Sequence, residues 1–492
     1  MPSTRSDDAT RTTGLGRFET SAVLGWIAVV VGAVPFLLLW LLVQRSWAPL
    51  ASLDGDVAAE LNAWVSQSPQ AVTVLSAITD LAGTSAAVLI FSAMTMFLLV
   101  RRQRRLAAFT ATAGLGLPLL GPLTKAIVDR ARPVVDAPVV DVPSNASFPS
   151  GHSLTGLVTF GVLLLLVLPV ASRRARPWLI AGTVLVVVAI GFTRLALGVH
   201  FVSDVLAGWA LGAAWLAVTV AAFRVWQHRE GTDTDEPLDP LDVPPDQAPH
   251  LDHAPEPVLP DGWATVTRLL AWAAALFVVL SAVGLLITRV FIDSWLVRAD
   301  LDVVRWFVDF RSDGLTTVTK AVGALSGTPA VIAVSVYLAA LALAVTSSWR
   351  PVVFVAVAVL GEVFLYFVIG LAVGRIRPDV ADLTAELPTG ASWPSGHAAA
   401  AAAVYGAVAA VVLSYSRARW RRAVLVLPLL LSPVIGVTRI YVAAHHPTDV
   451  VAGLVLGGVW VFVCARLLLP RTEDETATVA RPARPAAVQR TG

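Results

Sequence analysis

Runs of about twenty apolar residues, separated by short clusters of arginine, proline and glycine, recur along the whole chain. A hydrocarbon core about 30 Å thick takes roughly 20 apolar residues of helix. Twelve runs approach that length: 22–44, 85–100, 106–126, 153–171, 178–197 and 202–223 in the first half, then 266–288, 329–347, 351–373, 398–415, 422–439 and 449–469. The pattern predicts an all-α polytopic membrane protein of about twelve transmembrane helices. The first run is too long for the apolar segment of a signal peptide and lacks a small-residue cleavage site, so it reads as a retained anchor.

Composition agrees with the pattern and narrows it. Of 492 residues, 56% are hydrophobic and 14% are charged, against about 25% charged in soluble proteins. That balance excludes a soluble enzyme, and it excludes a disordered chain, which needs low hydrophobicity and high net charge. The net charge is +2 without a basic block, so no nucleic-acid partner is implied. Cys464 is the single cysteine and lies in an apolar run, which leaves no disulfide framework and no cysteine-based zinc site. Lys125 and Lys320 are the only lysines, so a lysine inside a motif carries information.

Arginine placement predicts orientation, because basic residues in short loops stay on the cytoplasmic side. Arg101, Arg102, Arg104 and Arg105 follow the second run, Arg173, Arg174 and Arg176 the fourth, and Arg417, Arg419, Arg421 and Arg422 the tenth. Those loops and both termini are expected in the cytoplasm of a cell-membrane protein. Trp47, Trp178, Trp263, Trp349, Trp393 and Trp420 fall near run ends, where an interfacial aromatic belt would sit.

The expected organisation is a cytoplasmic tail over 1–21, a six-helix unit over 22–225, a linker over 226–262, a second six-helix unit over 263–470 and a cytoplasmic tail over 471–492. The linker interleaves Asp233, Asp235, Glu236, Asp239, Asp242 and Asp246 with Pro237, Pro240, Pro244, Pro245 and Pro249. It has too little apolar surface to fold. Its His250, Asp252 and His253 read as a solvated cluster rather than a metal site, because no second ligand group has suitable spacing.

An internal repeat organises the rest. PSGH occurs at 149–152 and again at 394–397, a displacement of 245 residues that also carries Arg132-Pro133 onto Arg377-Pro378, Thr193-Arg194 onto Thr438-Arg439, His200 onto His445 and Asp204 onto Asp449. Six runs per half is an even number, so both halves enter and leave on one side. The duplication is therefore parallel, with both motif sets expected on the extracytoplasmic face.

The repeated polar residues suit a reacting anion. In the first half one loop holds Lys125, Arg132, Pro133, Ser150, Gly151 and His152, and a second holds Arg194, His200 and Asp204. Helix N-termini attract anions, and Gly151 lets the backbone approach one. Arginine offers a planar fork to phosphate oxygens, and lysine a point charge. His200 and Asp204, four apart, are expected on one helical face. There the carboxylate fixes the imidazole tautomer and stabilises its charge, while His152 is placed to protonate a leaving oxygen. Any one of these residues alone reads more simply as a turn or an interfacial side chain. Together they do not, because ionisable groups near a bilayer are costly and mark function.

K-x6-RP, PSGH and R-x5-H-x3-D, in that order, resemble the motifs of the type 2 phosphatidic acid phosphatase superfamily, which includes the vanadium haloperoxidases. The resemblance covers nearly all of each half. It implies that His200 attacks phosphorus to form a phosphohistidine, that Asp204 orients it, and that His152 is the general acid. It implies that Lys125, Arg132, Arg194, Ser150 and the Gly151 amide hold the phosphoryl oxygens. It implies no metal and no cofactor. The same roles in the second half fall to His445, Asp449, His397, Arg377, Arg439, Ser395 and Gly396. The implied substrate is a membrane lipid phosphate: phosphatidic acid, phosphatidylglycerol phosphate, or a polyprenyl phosphate or diphosphate. The implied partner is the bilayer, and no protein partner is indicated.

Two departures stand out. The family's serine before the third-motif arginine is Thr193 and Thr438 here, which keeps the hydroxyl. The position matching Lys125 is Gly370, so the second half lacks one cation, a loss on the order of 10²- to 10³-fold in rate if that lysine acts as an oxyanion-hole donor. Arg375 does not replace it, because the first half already has Arg130 at the matching place. A competent N-terminal site and a weakened or retuned C-terminal site are expected. Three alternatives stand beside this reading: a transporter or flippase, which would place polar residues at mid-span; haloperoxidase chemistry on vanadate; and a phosphotransferase with an acceptor other than water.

Overall fold

The computed structural model describes residues 30–229, 257–380 and 391–470. The chain divides into two compact units, Met1–Asp242 and Val243–Gly492, each described by itself. The linker cluster of His250, Asp252 and His253 and both tails lie outside the described residues. Apart from one isolated bridge between Ile376 and Ala391, the described residues are helices, turns and loops.

The first unit contains α1 (Val30–Gln44), α2 (Ala48–Val65), α3 (Pro69–Asp80), α4 (Thr84–Val100), α5 (Arg104–Val128), α6 (Gly151–Val167), α7 (Arg176–Ala196) and α8 (Val202–Arg229). The second contains α9 (Trp263–Leu285), α10 (Trp295–Asp309), α11 (Asp313–Ala324), α12 (Thr328–Thr346), α13 (Arg350–Val373), α14 (Gly396–Tyr415), α15 (Ser432–Tyr441) and α16 (Pro447–Leu468). Ten helical segments are long and apolar enough to cross a membrane, and each coincides with one of the expected runs. The other two runs behave differently. The first bends by 91° between α1 and α2, where Ser46 takes a positive φ and Pro49 opens the new helix. The fourth is α6, apolar but only 17 residues long.

Four short helices, α2, α3, α10 and α11, went unpredicted because their apolar residues mix with polar ones. Serine caps start three of them: Ser68, Ser294 and Ser312 each accept a hydrogen bond from a first-turn amide, satisfying a donor the helix leaves open. They turn chosen polar residues inward, among them Asp54, Asn62, Thr79 and Asp300.

The motif-bearing helices pack closely. In the first unit α6 lies against α8, and in the second α14 lies against α16. Both contacts depend on repeated glycines. A methyl group on Gly208 would sit 2.6 Å from the Ser150 carbonyl oxygen, and one on Gly453 would collide with the carbonyl oxygen of Ser395. The amide of Ser150 donates to the Asp204 carbonyl at 2.9 Å, and Ser395 to Asp449 at 2.9 Å. These glycines therefore lock the starts of two helices together, which is where the motif residues are. The chain order puts the ends of α5 and α7 at that same end of the first unit, and its arginine-rich loops at the other.

Five of the six tryptophans expected in an interfacial belt are exposed. Trp393 is the exception: it is buried, and its indole N–H donates to the Leu280 carbonyl at 3.1 Å.

Candidate active site

The first unit brings every expected residue to one place. Lys125 sits in the last turn of α5 and donates from Nζ to the Ala146 carbonyl. Arg132, in the following loop, is held by Asn145, with Nε to its carbonyl at 2.9 Å and Nη2 to Oδ1 at 2.6 Å. Its Nη1 donates to the Val199 carbonyl at 2.7 Å and lies 3.3 Å from His200 Nε2. Arg194, buried in the last turn of α7, donates to Thr79 Oγ1 at 2.9 Å. Ser150 caps α6, and its hydroxyl accepts from the Ser153 amide at 3.4 Å and the Ser153 hydroxyl at 3.0 Å. His152, in the first turn of α6, lies within electrostatic reach of Arg194, His200, Lys125 and Arg132.

His200 and Asp204 meet as their spacing suggested, but not along a helical face. His200 lies in the turn before α8. The Asp204 carboxylate reaches back over that turn, where Oδ2 accepts from the Phe201 amide at 3.0 Å and from His200 Nδ1 at 3.3 Å. The proton on Nδ1 is assigned from this network, and it leaves the Nε2 lone pair facing Arg132 and the other cations. Burial pushes the His200 imidazole down to about 4; Asp204 opposes the shift, while Arg132 and Arg194 add to it. The ring is therefore neutral and nucleophilic at neutral pH.

One consequence is measurable. Protonation of His200 removes the nucleophile, so the acid limb of kcat/KM, which reports the free enzyme, is expected near pH 4 rather than near 6.5. Arg132→Gln takes away a cation that disfavours the charged ring, so its limb moves upward. Substrate ionisation is common to both proteins, so the difference between their profiles reports the groups of the site that Arg132 faces, His200 among them. Superimposable limbs would refute the assignment.

Asp54 is a site residue the motifs did not reveal. Its carboxylate, 1% exposed, pairs with Arg130 Nη2 at 2.8 Å, while Arg130 Nη1 pairs with Asp204 Oδ1 at 2.7 Å. Asp54 also accepts from the amide of Ser203 at 2.9 Å. The second unit repeats this bridge: Arg375 pairs with Asp300 at 2.9 Å and Asp449 at 2.6 Å, and Thr448 donates its amide to Asp300 at 3.0 Å. Asp54 and Asp300 are 246 residues apart, one off the motif displacement, so a search at 245 passes them by.

The second site differs in three ways. Gly370 leaves the lysine position empty of charge. His445 donates from Nδ1 to the Ser392 carbonyl, 2.7 Å away, rather than to Asp449. Asp449 Oδ2 is taken by the Ser392 hydroxyl and by the His446 amide at 2.9 Å. A carbonyl can orient an imidazole but supplies no negative charge to balance a ring turning positive. Arg377 keeps the place of Arg132, donating to the Ala444 carbonyl at 2.7 Å. Burial, with Arg377, holds the His445 ring well below its ordinary value.

The family model of the PAP2 superfamily matches residues 106–227 and again residues 351–473, and the matches contain the motif residues of the two clusters, though not Asp54 or Asp300. The chain belongs to the PAP2 superfamily. Phosphatidylglycerophosphatase B of Bacillus subtilis is 42% identical over 98 residues, which are 19% of this chain and 46% of that protein. Undecaprenyl-diphosphatase of Sulfolobus acidocaldarius is 27% identical over 126 residues, 25% of this chain and 57% of that protein. The chain thus spans about half the length of the curated relatives it matches. A crystal structure of a transmembrane PAP2-type phosphatidylglycerolphosphate phosphatase from Bacillus subtilis aligns over 41% of this chain and 93% of its own, at 23% identity and a TM-score of 0.34. The two PAP2 units are a tandem duplication within one polytopic, all-helical chain.

Proposed function

We propose that the chain is an integral-membrane lipid phosphatase that hydrolyses a lipid phosphomonoester or diphosphate at the extracytoplasmic face, with the first PAP2 unit doing the chemistry. The observation that carries this reading is the convergence of Arg132 and Arg194 on a His200 whose Nδ1 is engaged by Asp204, with Lys125 in reach of both arginines and of Asp204. The names of the two curated relatives favour phosphatidylglycerol phosphate and polyprenyl diphosphate over the other lipid phosphates. Orientation rests on the arginine-rich loops, which lie at the end of the first unit opposite the cluster.

The proposed reaction has two steps. The Nε2 lone pair of His200 attacks phosphorus and the bond to the lipid oxygen breaks, while His152, which takes up a proton when the anionic phosphate binds beside it, gives that oxygen its proton. Asp204 stabilises the ring as it becomes positive, and Lys125, Arg132, Arg194 and the first amides of α6 hold the phosphoryl oxygens of the pentacoordinate state. Water then attacks the phosphohistidine, His152 takes its proton, and phosphate leaves with His200 neutral again. A transporter reading finds less support, because the clustered charges sit at helix ends.

The test is phosphate release by the purified full chain in detergent, with excess chelator, from phosphatidylglycerol phosphate, phosphatidic acid and a polyprenyl diphosphate. Release from at least one, blocked by vanadate as a mimic of the pentacoordinate state, is expected. A strict requirement for added divalent metal, or no release from any of the three, would sink the proposal.

A further inference from the structure

The second unit differs from the first at the wall of its site as well as in its charge. Position 121, a glycine in α5, becomes Tyr366 in α13, one helical turn before Gly370. A methyl group on Gly396 would lie 3.0 Å from Tyr366 Cζ and Cε2, whereas nothing lies within 4 Å of the same point on Gly151. The hydroxyl-bearing edge of Tyr366 thus borders the start of α14, in the unit whose lysine position is Gly370. It offers a neutral donor.

A second observation points to a ligand there. Ser395 is fully buried at the start of α14, and its hydroxyl has no hydrogen-bond partner. In the first unit Ser150 is satisfied by Ser153, but Ala398 stands at that place in the second. A buried hydroxyl without a partner is costly, and a phosphoryl oxygen at the helix start would accept from it.

Beside the same site lies an apolar cavity of about 310 Å³, lined by Phe310, Leu315, Val318, Val322, Thr438 and Tyr441. It adjoins the arginine, because Thr438 Oγ1 and Arg439 Nη1 lie 3.2 and 3.4 Å from one point, the place of a methyl group on Gly323. Gly323 follows the groove residue Val322 directly.

We propose that the second PAP2 unit is a binding site that holds the phosphate headgroup of a membrane lipid without cleaving it. Arg377, Arg439 and the hydroxyls of Ser395 and Tyr366 take the phosphoryl oxygens, and the cavity beside Thr438 takes the start of an acyl chain. His445, engaged by a backbone carbonyl and lacking both the Asp449 partner and a lysine, does not become a phosphohistidine. This goes beyond the catalytic reading of the first unit and relies on it only for the division of labour.

Isothermal titration of the full-length His200→Ala protein in detergent tests the proposal with three probes: dioctanoyl phosphatidic acid, dioctanoyl phosphatidylglycerol and inorganic phosphate. Two equivalents of phosphatidic acid are expected, one per unit. Arg439→Ala in that background weakens one equivalent by about 10- to 100-fold, and Tyr366→Phe, which removes only an oxygen, by about 3- to 10-fold. The phosphatidylglycerol arm reports whether a diester is also held. The dioctanoyl lipids bind this site about tenfold or more tightly than inorganic phosphate because their chains are buried. A single equivalent, two equivalents untouched by both substitutions, or equal affinity for lipid and inorganic phosphate would overturn the proposal. So would phosphorus NMR showing that the His200→Ala protein converts its bound phosphatidic acid. Absence of lipid phosphate hydrolysis by the unmutated chain is a separate result, which counts against the catalytic reading and leaves the stoichiometry to stand or fall alone.

Discussion

His200→Ala is expected to lower phosphate release from the best lipid substrate by on the order of 10⁴-fold or more, the scale seen when a covalent nucleophile is lost. The cations and the helix start of the first unit remain, so substrate still binds and KM changes little. What is lost is the group that forms the new bond to phosphorus. Asp204→Asn is the companion variant: with the ring free to take the other tautomer and no carboxylate to balance its charge, a loss of up to about 10⁴-fold follows. The size of the His200→Ala effect also weighs the two units. Whatever the second unit contributes to turnover survives that substitution. Its predicted contribution is negligible, because Gly370 supplies no cation and His445 meets the Ser392 carbonyl in place of a carboxylate. Phosphate release followed over hours at high enzyme concentration measures the residue. If a tenth or more of the activity remains, the second unit hydrolyses lipid and the division of labour is wrong. If all of it remains, catalysis resides in the second unit alone.

Much of this was legible in the sequence, and the exceptions have physical reasons. Spanning helices declare themselves because a bilayer demands one long apolar run for each. Motif residues declare themselves because charge is conspicuous in such runs. Asp54 and Asp300 were hidden on both counts, lying in α2 and α10, which are too short and too polar to stand out, and missing the repeat register by one residue. The different fates of His200 and His445 could not be read at all. Both are followed by an aspartate at the same spacing, and Ser147 and Ser392 are the same residue type. Only the structure shows that Ser147 donates to the Ala131 carbonyl at 2.9 Å, while Ser392 donates to Asp449 and takes the oxygen that would otherwise face His445. Tyr366 was visible as a letter, but its meaning depends on the packing that lays its ring against Gly396.

Arg130→Met is expected to destabilise the first unit by about 3 to 5 kcal/mol, the range for removing one partner from a buried ion pair. The arginine is 18% exposed, but its two carboxylate partners are 1% and 0% exposed, and methionine has a similar reach without the charge. Asp54 and Asp204 would then repel one another with no cation between them. An exposed pair would cost less than about 1 kcal/mol and would weaken in salt, so the two cases separate cleanly. Denaturant melts of the full chain in detergent, at low salt and in 1 M potassium chloride, should show a large loss in the variant and nearly the same loss at both ionic strengths. The double variant Arg130→Met, Asp54→Asn should recover part of the stability, because it removes one of the two stranded charges, and that non-additivity is the signature of direct coupling. A loss below about 1 kcal/mol, or full additivity, would mean that the bridge does not hold the start of α8. Arg130 also fixes the Asp204 oxygen opposite the one that meets His200, so turnover should fall in the variant even where the protein remains folded. A variant that loses stability but keeps unmutated turnover would show that Asp204 is positioned by the Phe201 amide alone.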